Sequence, residues 1–407
     1  MTARAMGAPA GVDAFDDPAD ARPAHWGGVF AMTLCVFALI ASEFMPVSLL
    51  TPLASDLRVT EGMAGQGLAI SGVFAVLASL SIPAIARRVE RKALLLALTA
   101  TMCLSGAIVA MAPDYPTYMA GRALIGVVVG GFWSLSAATA MQLVPPSQVP
   151  RALAIFNGGN ALATVVAPPL GSHLASIVGW RGAFFCLVPI AVIAFAWQWL
   201  SLPAMKAQPR AKGSGNVLAL LRDRRVLTGM LAVGVFFMGQ FALFTYLRPF
   251  LETVTRVDVS TLSLVLLTLG VAGVAGTLVI GRFLRIGFYP TLTIIPVLMA
   301  GIAVALIAVG TSVAATTALL GVWGLVATAA PVGWWLWIAR TLPHDAEAGG
   351  GLMVAVVQLA IAIGSTVGGL LYDGGGPRST FAASAGLLLV GAFLVVLTAR
   401  ADRAATP

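Results

Sequence analysis

The feature that most constrains this chain is a recurrence of long apolar runs: twelve stretches of about 20 residues, nearly free of charge, follow one another with short polar breaks. An unpaired backbone amide or carbonyl is expensive in hydrocarbon. Such runs therefore cross a bilayer as α-helices, which satisfy their own backbone. With boundaries uncertain by several residues, they fall at 27–50, 63–85, 93–112, 118–142, 152–178 and 182–202, then at 226–250, 260–283, 290–310, 313–338, 349–371 and 378–399. Charged residues make up only 10% of the 407 and hydrophobic ones 59%, against about 25% charged in a soluble domain. That composition excludes a soluble enzyme and leaves no room for a large soluble domain.

The runs divide six and six around a Lys/Arg-rich stretch, 203–225. The expected fold is an all-α membrane protein of twelve transmembrane helices in two six-helix bundles, 27–202 and 226–399, with the site at mid-depth between them. Residues 1–26 hold Asp13, Asp16, Asp17 and Asp20 among Ala, Pro and Gly. They read as a disordered tail, not a signal peptide. A short second tail, 400–407, ends the chain.

Alternating the loops across the membrane puts 18 of the 24 Lys and Arg residues on the side of the two tails and the linker, and 5 on the other. The positive-inside rule then places both termini and the linker in the cytoplasm. The net charge of +8 is thereby an orientation signal, with no need of a nucleic-acid partner. Cys35, Cys103 and Cys186 all sit in apolar runs and are expected to be packed thiols. His25, His173 and His344 are scattered, so neither a metal site nor an enzyme's cluster is expected. With no P-loop in the sequence, ATP is not the expected power source; no cofactor is expected, and the acidic residue in the first span makes a proton gradient the expected energy source. The partners expected are a small-molecule substrate, protons and the lipid bilayer, with the chain acting as a monomer.

An ionisable side chain inside a span is a functional candidate by default. Glu43 in the first span and Arg122 in the fourth are the two that stand out, at similar expected depths. Low dielectric favours the neutral carboxyl and a nearby cation favours the charged one, so Glu43 is the candidate proton carrier and Arg122 its tuning charge. A static ion pair holding two helices in register is the alternative.

Pro46 has no N–H to give the Ser42 carbonyl, and Pro168 and Pro169 do the same to Thr164 and Val165; these prolines are candidate kink or gating positions. Gly126, Gly130 and Gly131 mark a face that another helix can approach closely. Trp133 and Ser134 offer a flat ring beside a hydroxyl, Gln240 and Gln358 lie near the middles of spans seven and eleven, and Asn157 and Asn160 lie in the inner half of span five. Together they are the candidate substrate contacts, with interhelical hydrogen bonding as the alternative. Thr245, Tyr246 and Arg248 end the seventh span, where a gate role competes with interfacial anchoring. Trp334, Trp335 and Trp337 end the tenth.

These residues resemble the major facilitator superfamily and, within it, the twelve-span drug:proton antiporters. GRALIGVVVGG (121–131) is similar to that family's fourth-span motif, whose arginine, here Arg122, the resemblance associates with proton coupling. APPLG (167–171) resembles a degraded antiporter motif. RRVERK (87–92) takes the place of the loop motif between spans two and three but departs from it at Arg87 and Glu90. EFMPVSLLTPLASDL (43–57), GGFWSLSA (130–137), GQFALFTYLRP (239–249), PVGWWLWIAR (331–340) and VAVVQLA (354–360) resemble a subfamily of bacterial purine ribonucleoside exporters. The resemblance implies a carrier exporting inosine- or guanosine-like solutes against protons. A sugar or multidrug exporter is the alternative within the family, and a non-transporting sensor on a carrier scaffold the alternative outside it.

Overall fold

The computed structural model describes residues 23–86, 88–205, 217–342 and 346–405. The expectations for most of the first tail, the middle of the linker, Arg87 and His344 lie outside them. Four helices open the chain: α1 (Trp26–Leu57), α2 (Glu61–Ile85), α3 (Arg91–Ala110) and α4 (Tyr115–Leu143). The Val149–Phe185 helix reverses at Gly179, where φ is 74°. This conformation is nearly free of cost only for a residue without Cβ. It separates α5 (149–178) from α6, which runs from 180 through Cys186 into Leu187–Ser201.

The second half repeats the plan. α7 (Arg224–Phe244) continues into Leu247–Phe250 and a π-helical turn, Leu251–Thr255. α8 (Val259–Ile286) and α9 (Phe288–Val309) follow, then α10 in two pieces, Val313–Ala327 and Ala330–Thr341. Ala346–Ala405 reverses at Gly376, with φ 69°, into α11 (346–375) and α12 (377–405). Among the described residues, ten apolar stretches are long enough to cross a membrane, and Pro146–Ser201 and Ala348–Arg403, at 56 residues each, hold two crossings apiece. The total is twelve.

The halves also match in backbone detail. Among the described residues, Arg58 and Arg256 are the two non-glycine residues with positive φ, at 56° and 59°; each follows the first helix of its half. Gly179 and Gly376 each follow the fifth. The 58/256 and 179/376 pairs lie 198 and 197 residues apart, the spacing of two structural repeats.

Each half has its own core. One is built on α1–α6 around Leu39, Leu50, Val128 and Phe156; the other on α7–α12 around Phe236, Met299, Trp323 and Phe381. Between hydrophobic helices in lipid, van der Waals packing of small residues sets the approach. A Cβ on Gly126 would come within 2.8 Å of the Ser71 backbone, so the helix expected to approach that face is α2. Gly131 faces Leu98 of α3.

Most helix boundaries differ from the sequence reading by a few residues, and three of the differences bear on the site or the ends. α1 runs seven residues past 50, to Leu57, because its polar end TPLASDL continues the helix through Pro52. α7 begins at Arg224, and α12 continues through the expected tail to Ala405. Of the cysteines, Cys35 is buried, but Cys186 is exposed at the protein surface within α6.

Candidate functional site

The site is governed by prolines in α1. In a helix each N–H donates to the carbonyl four residues back, so Pro46 leaves the Ser42 carbonyl open and Pro52 leaves that of Ser48 open. Both carbonyls are buried, and lipid cannot satisfy them. Each is taken by an arginine.

Arg122 of α4, 1% exposed, takes the first. Its Nη1 donates to the Ser42 carbonyl at 2.7 Å, its Nη2 to the Glu43 carbonyl at 2.9 Å and its Nε to the Gly67 carbonyl of α2 at 3.1 Å. The guanidinium thus pins α1, α2 and α4 together through backbone oxygens. It meets the main chain of Glu43, not its carboxyl, so the static Glu43–Arg122 ion pair is not formed in this structure. With α1 extended to Leu57, Glu43 lies near the middle of its helix, deeper than a first span ending at 50 implies.

The Glu43 carboxyl, 5% exposed, faces the opposite bundle. Its Oε1 accepts from Nε2 of Gln358 on α11 at 3.2 Å, and the Gln358 Oε1 is buried with no hydrogen-bond partner. Beside Glu43, Phe44 stacks on Phe241 of α7 at 5.7 Å, and Phe237 and Phe244 extend the aromatic cluster. Gln240, half-buried on α7, also carries an unpartnered Oε1. An acid, two amides with free carbonyl oxygens and a set of phenyl rings therefore occur on α1, α7 and α11, at or close to mid-depth.

The other expected contacts are more dispersed. Trp133 and Ser134 are half-buried on α4. Trp133 packs edge-on to Phe132, and the Ser134 hydroxyl donates to the Gly131 carbonyl at 2.8 Å. Asn157 is exposed with its Nδ2 on the Leu153 carbonyl at 2.9 Å, and Asn160 is half-buried. Pro168 and Pro169 lie inside α5. Near the carbonyls they free, Gly270 of α8 lies close enough that a Cβ there would come within 2.8 Å of the Val165 Cα. Trp334 and Trp337 are buried in the second core, whereas Trp335 is 46% exposed.

Beyond mid-depth, away from the termini, the bundles meet through hydrogen bonds that sequence reasoning did not identify. Asp373, at the end of α11, accepts from the Gly62 amide at 2.9 Å and from the Thr60 hydroxyl at 2.6 Å, so one bundle caps a helix N-terminus of the other. Thr366 donates to Gln66 at 3.0 Å. Tyr246 of the second half is fully buried against Gly62, Gly65 and Gly369. Arg248, also from the second half, caps the Ser48 carbonyl. The one sequence signal for that bond was a proline four residues after a serine, together with an arginine in an otherwise apolar span end.

The Major Facilitator Superfamily model matches residues 32–352, across both bundles. The chain belongs to the Major Facilitator Superfamily. Within it, the chain is 64% identical over 378 residues to the "Transcription regulatory protein OpdE" of Pseudomonas aeruginosa, covering 92% of this chain and 94% of that one. It is 39% identical over 380 residues to the "Purine ribonucleoside efflux pump NepI" of Salmonella typhimurium, covering 93% and 95%. Among solved superfamily structures, the nucleoside transporter NupG superposes with TM-score 0.77 at 13% identity, covering 91% of this chain and 99% of that one. An inward-facing, unoccupied bacterial homologue of the lysosomal transporter Spinster gives 0.75 at 14%, covering 94% and 98%. At those identities the likeness is one of fold. Membership makes the chain a multi-pass membrane transporter of small molecules and not an enzyme.

Proposed function

We propose that this chain exports purine ribonucleosides in exchange for protons, by alternating access of its two bundles around the Glu43–Gln358 contact. The observation that carries the reading is that contact. A buried carboxyl of one bundle meets an amide of the other, so a change in its protonation acts on the surface along which the bundles must move. A carboxylate accepts from the Gln358 Nε2. A carboxylic acid has a proton to donate, and the free Gln358 Oε1 can accept it. The two states favour different interface geometries, which is the differential interaction that coupling requires.

The aromatic cluster beside this pair, with the unpartnered Gln240 oxygen, suits a planar heterocycle carrying hydrogen-bond donors. The 39% identity to a purine ribonucleoside efflux pump supports the same solute class. Arg122 serves in this scheme as a fixed brace that sets the position of the Glu43 backbone. Trp133, Ser134, Asn157 and Asn160 belong to the first bundle's share of the solute path. The proposed location is the bacterial inner membrane, as the bacterial relatives suggest, and the proposed state a monomer; the Lys/Arg asymmetry supports both termini in the cytoplasm. No cofactor enters the scheme; the proton gradient supplies the energy.

A second reading draws on the 64% identity to a protein named as a transcription regulator: the chain acts as a membrane sensor, or alters gene expression through the solute it moves. Transport by the purified protein separates these. A carrier accumulates labelled inosine or guanosine in proteoliposomes when a proton gradient is imposed. A pure sensor binds the nucleoside and moves none.

A further inference from the structure

α1 carries the same device twice. Pro46 opens a carbonyl that Arg122 fills from within the same bundle, and Pro52 opens one, at Ser48, that Arg248 fills from the opposite bundle. The first bond is internal to a rigid body and persists through any rocking of the bundles. The second crosses the surface along which they part. We propose that Arg248 is a gate residue of the distal mouth: it holds the bundles closed by capping the carbonyl that Pro52 leaves open, and the mouth opens only when that bond breaks.

The surroundings are built for this contact. Arg248 is 5% exposed, its Nε is held by Glu252 at 2.8 Å, and its Nη1 also lies 3.5 Å from the Ser172 hydroxyl of α5. The Glu252 pairing orients the guanidinium toward α1 from one turn away. Arg248 thus bridges its own helix to two helices of the first bundle. A proline-opened carbonyl makes this bond reversible. When the mouth opens, water can reach both the Ser48 carbonyl and Arg248, so neither is left buried and unpaired. An ordinary helical carbonyl, already occupied, would offer a weaker anchor.

The proposal rests on the carrier reading only in requiring two alternately open states. Its test reads conformation and is independent of the solute. Spin labels at Met111→Cys and Val313→Cys sit on exposed distal ends of opposite bundles, in full-length protein with Cys35, Cys103 and Cys186 changed to Ser, reconstituted in nanodiscs. Double electron–electron resonance reads the distance between them. Arg248→Ala should move population from the short to the longer distance, lowering the closed-to-open ratio about tenfold to a hundredfold, the worth of one hydrogen bond to a charged group. Pro52→Ala returns a helical amide to the Ser48 carbonyl and should shift the ratio in the same direction, by less. Because the two changes act on one bond, the double variant should open no further than Arg248→Ala alone. Arg248→Lys replaces Arg248→Ala in the cycle if the latter does not fold. An Arg248→Ala distribution matching the parent, or shifts that multiply in the double variant, would overturn the proposal. Failure to transport nucleosides would remove the solute assignment and leave these distances as they are.

Discussion

Arg122→Met tests whether the guanidinium is a brace for the α1 backbone. The substitution removes donors to three carbonyls, at 2.7, 2.9 and 3.1 Å. Two of these, Glu43 and Gly67, have an amide four residues on, at Val47 and Ser71. The Ser42 carbonyl has none, because the residue four on is Pro46. Hydrogen bonds to a charged group are worth about 1.5–3 kcal/mol each, but burying the guanidinium costs several kcal/mol, so most of that gain is offset. What remains is one orphaned carbonyl in a water-free site. The predicted loss is about 1–3 kcal/mol. Pro46→Ala supplies the missing amide, so the double variant should recover most of the loss, a coupling of about 1–2 kcal/mol. Equilibrium unfolding of the purified protein in mixed micelles, run on the wild type, both single variants and the double, gives the cycle. A coupling below about 0.5 kcal/mol would mean that Arg122 does not act through the Ser42 carbonyl.

Further outcomes follow from the same contacts. Gly126→Val should cost about 1–3 kcal/mol or more in that unfolding assay, because even its Cβ would press on the Ser71 backbone. Gly281→Ala, with nothing within 4 Å of the new Cβ, should be neutral or stabilising by up to about 1 kcal/mol, and equal effects of the two would contradict the α2–α4 packing. Asp373→Ala removes a helix cap worth about 1 kcal/mol that forms only with the bundles in contact. It should lower the closed-to-open ratio of the distal spin labels roughly fivefold, and an unchanged ratio would make the cap irrelevant to closure. Gln358→Leu keeps the volume and removes the amide facing Glu43. It should uncouple solute movement from the proton gradient while leaving downhill exchange, measured in proteoliposomes, and full coupling would remove Gln358 from the mechanism.

The spans were legible because lipid imposes a single solution on twelve apolar runs, and the deep polar residues because each departs from that background. Pro46 pointed to an open carbonyl at Ser42 for the same reason: a missing N–H can be read from sequence. The identity of the partner could not be read. Arg122 and Glu43 share a depth, and charge alone suggested a pair, but the guanidinium donates to main-chain oxygens while the carboxyl turns to Gln358, 315 residues away. The Arg248 and Asp373 contacts were hidden more completely, since both depend on how one bundle sits against the other. Pro52 four residues after Ser48 and an arginine in an apolar span end are the trace of the first in the sequence, and the small residues Gly62 and Gly369 that of the second. The last turns of α1 were missed because TPLASDL is too polar for a hydropathy window, although a helix already formed continues through it.

In the proposed cycle, Glu43 couples solute export to protons. The most direct test is uptake of labelled inosine and guanosine into inverted vesicles containing the purified protein, with and without an imposed proton gradient, for wild type and Glu43→Gln. The wild type should show gradient-driven accumulation, and Glu43→Gln only gradient-independent exchange. Gradient-driven accumulation that survives in Glu43→Gln would contradict that cycle.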